Sequence, residues 1–201
     1  RGDWGMKIGI VDADLIGRYK HRFPNLVCEK ISGYWKKKNA EVKLLLDYDN
    51  LDDYDEVYIS KVFTDTPVPE WISNGVDMES AKSSLPSNIH VGGTGFFFAK
   101  APNLPDEIEH HMPDYHLYDE WITSTVESAK KNAELTGNPL PKNYMLQFKE
   151  YTNYSIGFMT RGCFRKCKFC VNQKYDRVFL HSPLEEFLDP SRPKICLLDD
   201  N

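Results

Sequence analysis

The sequence predicts an α/β fold: an open parallel sheet first, then the start of a second strand-and-loop unit. Three observations carry this reading. Four short apolar runs, Lys7–Val11, Val42–Leu46, Val57–Val62 and Asn88–Val91, are separated by helical or loop connections, the pattern of a parallel sheet. A fifth run, Ser155–Thr160, leads straight into a loop holding three of the five cysteines. The chain has 201 residues, of which 41% are apolar, enough for one large domain or one domain plus part of another.

Lys7–Val11 (KIGIV) reads as a buried strand because it is a short, nearly unbroken apolar run. From Phe23 to Lys38, the residues Leu26, Val27, Ile31, Tyr34 and Trp35 recur at helical spacing, and Pro24 suits a first helical turn. Val42–Leu46 and Val57–Val62 are the next strands, and the acidic stretch between them predicts a surface turn or a compact helical turn. Asn88–Val91 is the fourth strand, and the first unit ends near Leu104. A crossover follows, with a short helix around Asp106–His110 and a longer one over Asp119–Leu135 that Gly137-Asn138-Pro139 stops. Asn143–Tyr154 is expected to be extended. Leu184–Leu188 after Pro183 is a brief helix, and Lys194–Leu198 is the last strand.

Composition narrows the function. A net charge of -5 gives no general attraction to nucleic acid, and no basic RNA-binding domain is visible. No run of about 18 apolar residues occurs, so no membrane span is expected. The start lacks a signal-peptide pattern, and Arg1–Gly5, upstream of the first methionine, are not relied on for the fold. Five cysteines, three of them clustered, without a secretory signal fit metal or redox work in a reducing cytoplasm.

Cys163, Cys167 and Cys170 are spaced Cys-x3-Cys-x2-Cys. Thiolates hold iron–sulfur clusters, and a four-iron cluster has four corners. Three thiolates from one loop leave one iron for a substrate or cofactor, where an electron-transfer site would close it with a fourth cysteine. Arg161, Arg165, Lys166, Lys168 and Lys174 surround the cysteines. They are either a solvated loop surface or a positive setting that favours thiolates and anionic ligands. Two competing readings are a closed Cys3His zinc site with His181, itself otherwise a surface residue, and unligated thiols. Cys28 and Cys196 read as small buried hydrophobes.

This spacing, just after a strand and with Phe169 before the third cysteine, resembles the signature of the radical S-adenosylmethionine (SAM) superfamily. The resemblance implies that Cys163, Cys167 and Cys170 ligate a [4Fe–4S] cluster whose open iron is chelated by the methionine part of SAM. It implies that Phe169 lies against the adenine. It further implies reductive cleavage of SAM to a 5′-deoxyadenosyl radical, an external one-electron reductant and a substrate that the sequence does not name. The fold implied is a Rossmann-like, cobalamin-binding-like domain over 6–104, a linker and helical crossover over 105–154, and the first βα units of a partial (βα) barrel of radical SAM type over 155–201. The family's glycine-glycine-glutamate motif is missing; Asp199, Asp200 and Asn201 stand in its place as polar substitutes for binding SAM. Two strands cannot close a barrel, so the expectation is a fragment, inactive unless the barrel is completed beyond residue 201. The alternatives are a zinc- or cluster-binding interaction module without catalysis, and an α/β binding domain with a vestigial cysteine loop.

Many members of that superfamily carry a cobalamin domain with Asp-x-His-x-x-Gly after its first strand. Asp12, Asp14 and Gly17 match it with Asp14 in the histidine position, so histidine ligation of cobalt is not expected; cobalamin bound without it is one reading, and an acidic strand-to-helix turn is the plainer one. Gly92-Gly93-Thr94-Gly95 predicts a tight turn packing the first unit onto the second. Phe96, Phe97 and Phe98 are expected to plug the interface between the units, and His110, His111 and His116 to sit on a surface crossover.

Overall fold

The computed structural model describes residues 5–19 and 23–200. Its main sheet has four parallel strands: β1 (Lys7–Asp12), β2 (Glu41–Leu45), β3 (Glu56–Ser60) and, after a small hairpin, β6 (Ile89–Gly92). Their order is β2-β1-β3-β6. Ile8 is aligned with Val42 on one side and Glu56 on the other, and Asp12 with Ser60 at the carboxyl ends. The chain moves outward from β1 to β2, then crosses back to β3. The ends of β1 and β3 therefore form the switch point of the sheet.

The apolar runs become strands because both faces of the sheet are covered. Helix α1 (Ala13–Gly17) caps β1, and α2 (Leu26–Lys37) makes the crossover to β2. Asn25 is the N-cap of α2, its side chain accepting from the amides of Val27 and Cys28. Pro24 therefore precedes the helix and is not in its first turn, as the cap needs a side-chain acceptor that proline lacks. Ile8 and Ile10 pack against Cys28, Ile31 and Tyr34 of α2. Each buried aliphatic side chain contributes about 1.5–3 kcal/mol. Val11, Val57 and Ile59 face the other way, toward Leu51 in a 3-10 turn, Ile72 of α3 (Glu70–Asn74) and Phe96 and Phe97 of α4 (Thr94–Phe97). Phe96 and Phe97 are thus core of the first sheet and do not plug an interface; Phe98 alone is exposed. The hairpin β4 (Val76–Asp77) and β5 (Lys82–Ser83) lies between α3 and β6.

The crossover packs onto the α2 side of the sheet. Ile108 of α5 (Asp106–Glu109), Leu117, Tyr118 and Ile122 of α6 (Asp119–Thr136) all join the core around Ile8 and Ile10. Gly137, with a left-handed φ of 70°, ends α6. The stretch expected to be extended is helical up to Asn153: Tyr144–Phe148 form a 3-10 helix and Lys149–Asn153 form α7, and only Tyr154 is extended. Phe148 and Tyr151 are fully buried in that same core, and their burial selects the helical path.

A second sheet pairs β7 (Tyr154–Gly157) with β10 (Lys194–Leu197) in parallel. Tyr115 fastens it to the crossover, its hydroxyl accepting from the Ile156 amide at 2.8 Å and donating to the Phe187 carbonyl at 2.6 Å. The Arg192 guanidinium donates to the carbonyls of Tyr115, Tyr151 and Tyr154. This is a mixed α/β architecture with a four-stranded parallel sheet and a two-stranded one. Among the described residues no helix is long and apolar enough to cross a membrane.

Candidate functional site

The cysteine loop stands on a narrow neck. After β7 the chain turns at Phe158 and Met159, and β8 (Thr160–Arg161) pairs antiparallel with β9 (Phe179–Leu180). The predicted single strand over 155–160 is therefore broken. The cause is Asp199 at the end of β10, whose carboxylate accepts from the amides of Met159 (2.9 Å) and Thr160 (3.1 Å) and from the Thr160 hydroxyl (2.7 Å). Gly162 opens the loop at φ 87°, and a Cβ there would lie 2.2 Å from the Arg177 carbonyl oxygen, so only glycine closes the neck.

Within the loop, Cys163, Cys167 and Cys170 are half-buried thiols. The Cys170 amide donates to the Cys167 carbonyl at 3.0 Å. The Cys170 sulfur accepts from the Asn172 amide and caps the 3-10 helix Val171–Lys174. Among the described residues, no three His, Cys, Asp or Glu side chains are drawn close enough together to hold a metal ion. Phe169 is 85% exposed. Lys166 pairs with Asp176 at 2.5 Å, and Lys174 donates to Asn103 at 3.2 Å, tying the far side of the loop to the first unit.

Beneath the neck lies a cluster of charged groups that no sequence motif marks. One oxygen of Glu109, on α5, lies 3.0 Å from Lys30 Nζ of α2, 3.1 Å from an Arg161 guanidinium nitrogen and 3.4 Å from His181 Nε2. Lys30 also donates to the Glu109 carbonyl. His181 Nδ1 meets the Ser182 hydroxyl at 2.9 Å, and the ring stacks on His110, which pairs with Glu186. Burial lowers the pKa of Lys30, with Glu109 opposing. Burial, then Arg161, lowers that of His181. His181 is thus not a surface residue: its side chain is 10% exposed. Both its ring nitrogens are engaged away from the cysteines, so the Cys3His zinc arrangement is not assembled. A lysine within the buried stripe of α2 was the available signal for this cluster.

The other sequence candidates serve the fold. Asp14 is buried, and its carboxylate accepts from the amides of Val62 and Phe63 and the Thr66 hydroxyl, clamping the loop after β3. Asp12 caps α1 through the amides of Asp14 and Leu15. At the switch point, Asn25 donates to Ser60 at 2.9 Å, joining the start of α2 to the end of β3. Gly93, at φ 102°, would place a Cβ 2.2 Å from the Lys61 carbonyl oxygen, so the glycine turn packs on its own sheet's β3 loop, not on the second unit. His110 and His116 are exposed and His111 is half-buried, and each is hydrogen-bonded, to Glu186, Asp119 and the Met112 carbonyl respectively. Cys28 is fully buried, Cys196 half-buried in β10, and burial raises both thiols' pKa. Asp200 is exposed, and Asn201 lies outside the described residues.

No protein-family model, curated protein or solved structure matches this chain.

Proposed function

We propose that this is a radical SAM protein. Cys163, Cys167 and Cys170 hold a [4Fe–4S] cluster and leave its fourth iron to SAM, whose reductive cleavage starts radical chemistry on a further substrate. The observation that carries the reading is the set of three half-buried thiols on one loop above a fixed neck. The donor types fit, although the three sulfurs are not gathered into a metal-holding group among the described residues: soft thiolates suit iron–sulfur clusters, and the backbone amide on the Cys170 sulfur is the kind of contact that tunes them. When bound, the cluster supplies a low-potential electron delivered by an external reductant.

The chain's own residues do the remaining work. Arg165, Lys166 and Lys168 are interleaved with the cysteines and set positive charge beside the place an anionic ligand would take. Phe169 offers an exposed aromatic face to a flat heterocycle. Asp199 already serves the neck through Thr160, so Asp200, exposed at the same strand end, is the carboxylate for SAM's amino group. Asp14 is spent on the β3 loop and so offers cobalamin no axial ligand.

The test is anaerobic reconstitution with iron and sulfide, followed by iron analysis and electron paramagnetic resonance with and without SAM. The expected result is a cluster lost on replacing any of the three cysteines by serine, with a signal that SAM perturbs. Stoichiometric zinc in place of iron, iron unchanged in the serine variants, or a signal indifferent to SAM would overturn it.

A further inference from the structure

Both strands of the loop's neck send a side chain to the same carboxylate. Arg161 leaves the outgoing strand β8 and His181 follows the returning strand β9, and both reach one oxygen of Glu109. That oxygen also takes Lys30, whose side chain is 6% exposed on α2. Glu109 belongs to α5, whose Ile108 is in the core of the first sheet. A carboxylate fixed to the main sheet therefore sets where the cysteine loop begins and where it ends. We propose that Glu109 is the positioning residue of the cysteine loop, locking its neck to α2 and α5. As a statement about cluster chemistry, this rests on the proposed function above; as a statement about the loop, it rests on the ion pairs alone.

The charges decide which side yields when Glu109 is neutralised. Lys30 and Arg161 are then two poorly solvated cations facing each other without the carboxylate that bridged them, with only the more distant Glu186, itself paired with His110, left as a counter-charge to Lys30. Lys30 sits in a twelve-residue helix packed on β1, while Arg161 sits in a two-residue strand. The neck has the fewest bonds to lose, so the strain is released by β8 and β9 moving and not by α2. Cys163 is two positions from Arg161. Any displacement of the neck thus passes directly to the first thiol.

The experiment uses the full chain with Glu109→Gln and the charge-conserving Glu109→Asp. In metal-free protein, amide hydrogen exchange is followed over residues 158–182 and over β1, β2 and β3. Glu109→Gln is expected to speed exchange in 158–182 by about tenfold while leaving the main sheet unchanged, with Glu109→Asp partly restoring it. In reconstituted protein at equal iron occupancy, Glu109→Gln should move the reduction potential upward. Removing a negative charge near the loop favours the reduced cluster, a shift that a merely structural role would not produce. Local exchange without any cluster in the wild type would sink the radical SAM reading and leave the positioning role standing. Exchange unchanged at 158–182, or raised equally across β1–β3, would overturn the positioning role whether or not iron binds.

Discussion

The hydroxyl of Tyr118 donates to the buried carboxylate of Asp12 at 2.8 Å, across more than a hundred residues of chain. The same hydroxyl accepts from the Asn25 amide at 3.0 Å, so one phenol joins the end of β1, the start of α2 and the crossover. Burial raises its pKa well above the ordinary value, keeping it a donor. Tyr118→Phe is expected to lower stability by about 1–3 kcal/mol, the scale for unpairing buried polar groups. Urea denaturation measures the loss. Exchange over 158–182, measured under native conditions, should not change, because Tyr118 touches the first sheet and not the neck.

Glu29 is buried, and neither carboxylate oxygen meets a hydrogen-bond partner among the described residues. Burial raises its pKa well above 4.5; Arg192 opposes, and Asp114 and Asp12 add to the rise. The unfolded chain gives up this proton near pH 4.5, while the folded chain keeps it to higher pH. Folding therefore becomes less favourable as pH climbs from about 4.5 toward the folded value. Glu29→Gln should be the more stable protein at pH 7, by about 1–3 kcal/mol, and lose that advantage near pH 4. Paired urea titrations at the two pH values check it; equal stability at pH 7 would count against a neutral Glu29.

His181 runs the other way. Its pKa is lowered from 6.5, so the unfolded chain takes up a proton before the folded chain does. Its contribution is intact above about pH 6.5 and is lost as pH falls through the folded value. Hydrogen exchange over 158–182, corrected for the intrinsic pH dependence of exchange, should rise as pH drops below about 6.5. His181→Gln should remove that rise. A neck equally protected at pH 7 and pH 5 in the wild type would refute the assignment.

Gly162→Ala forces a side chain toward the Arg177 carbonyl at a positive φ. The left-handed backbone alone costs about 1–2 kcal/mol. The expected outcome is a neck that exchanges faster and a chain that retains less iron after reconstitution, with the first sheet's exchange unchanged. Where the wild type takes up iron as proposed, equal retention by the variant would mean that the neck does not govern the loop.

The strands of the main sheet were legible because buried parallel strands read as short, mainly apolar runs, as Ile8–Val11 and Val57–Ile59 show. Helix α6 was legible from its polar, helix-forming body and the glycine that ends it. Tyr144–Phe148 and α7 were not, since their shape follows from burying Phe148 and Tyr151 against a core assembled from distant segments. The hairpin β4–β5 and the neck β8–β9 have two-residue strands, too short for any periodicity to appear. For the site, the cysteine spacing could be read directly, but Glu109 could not. Which carboxylate meets Arg161 depends on how α5 docks on α2. Asp199 was expected at a ligand, yet its carboxylate is used where the chain bends at Met159 and Thr160.

Phe169 stands almost entirely in water. A ring with so little to lean on adds little to the architecture, and cutting it back to alanine should leave the unfolding curve where it was. Whatever such a change does to affinity for the proposed SAM ligand would then report on recognition alone, which makes position 169 the cleanest place to separate binding from how the chain stands up.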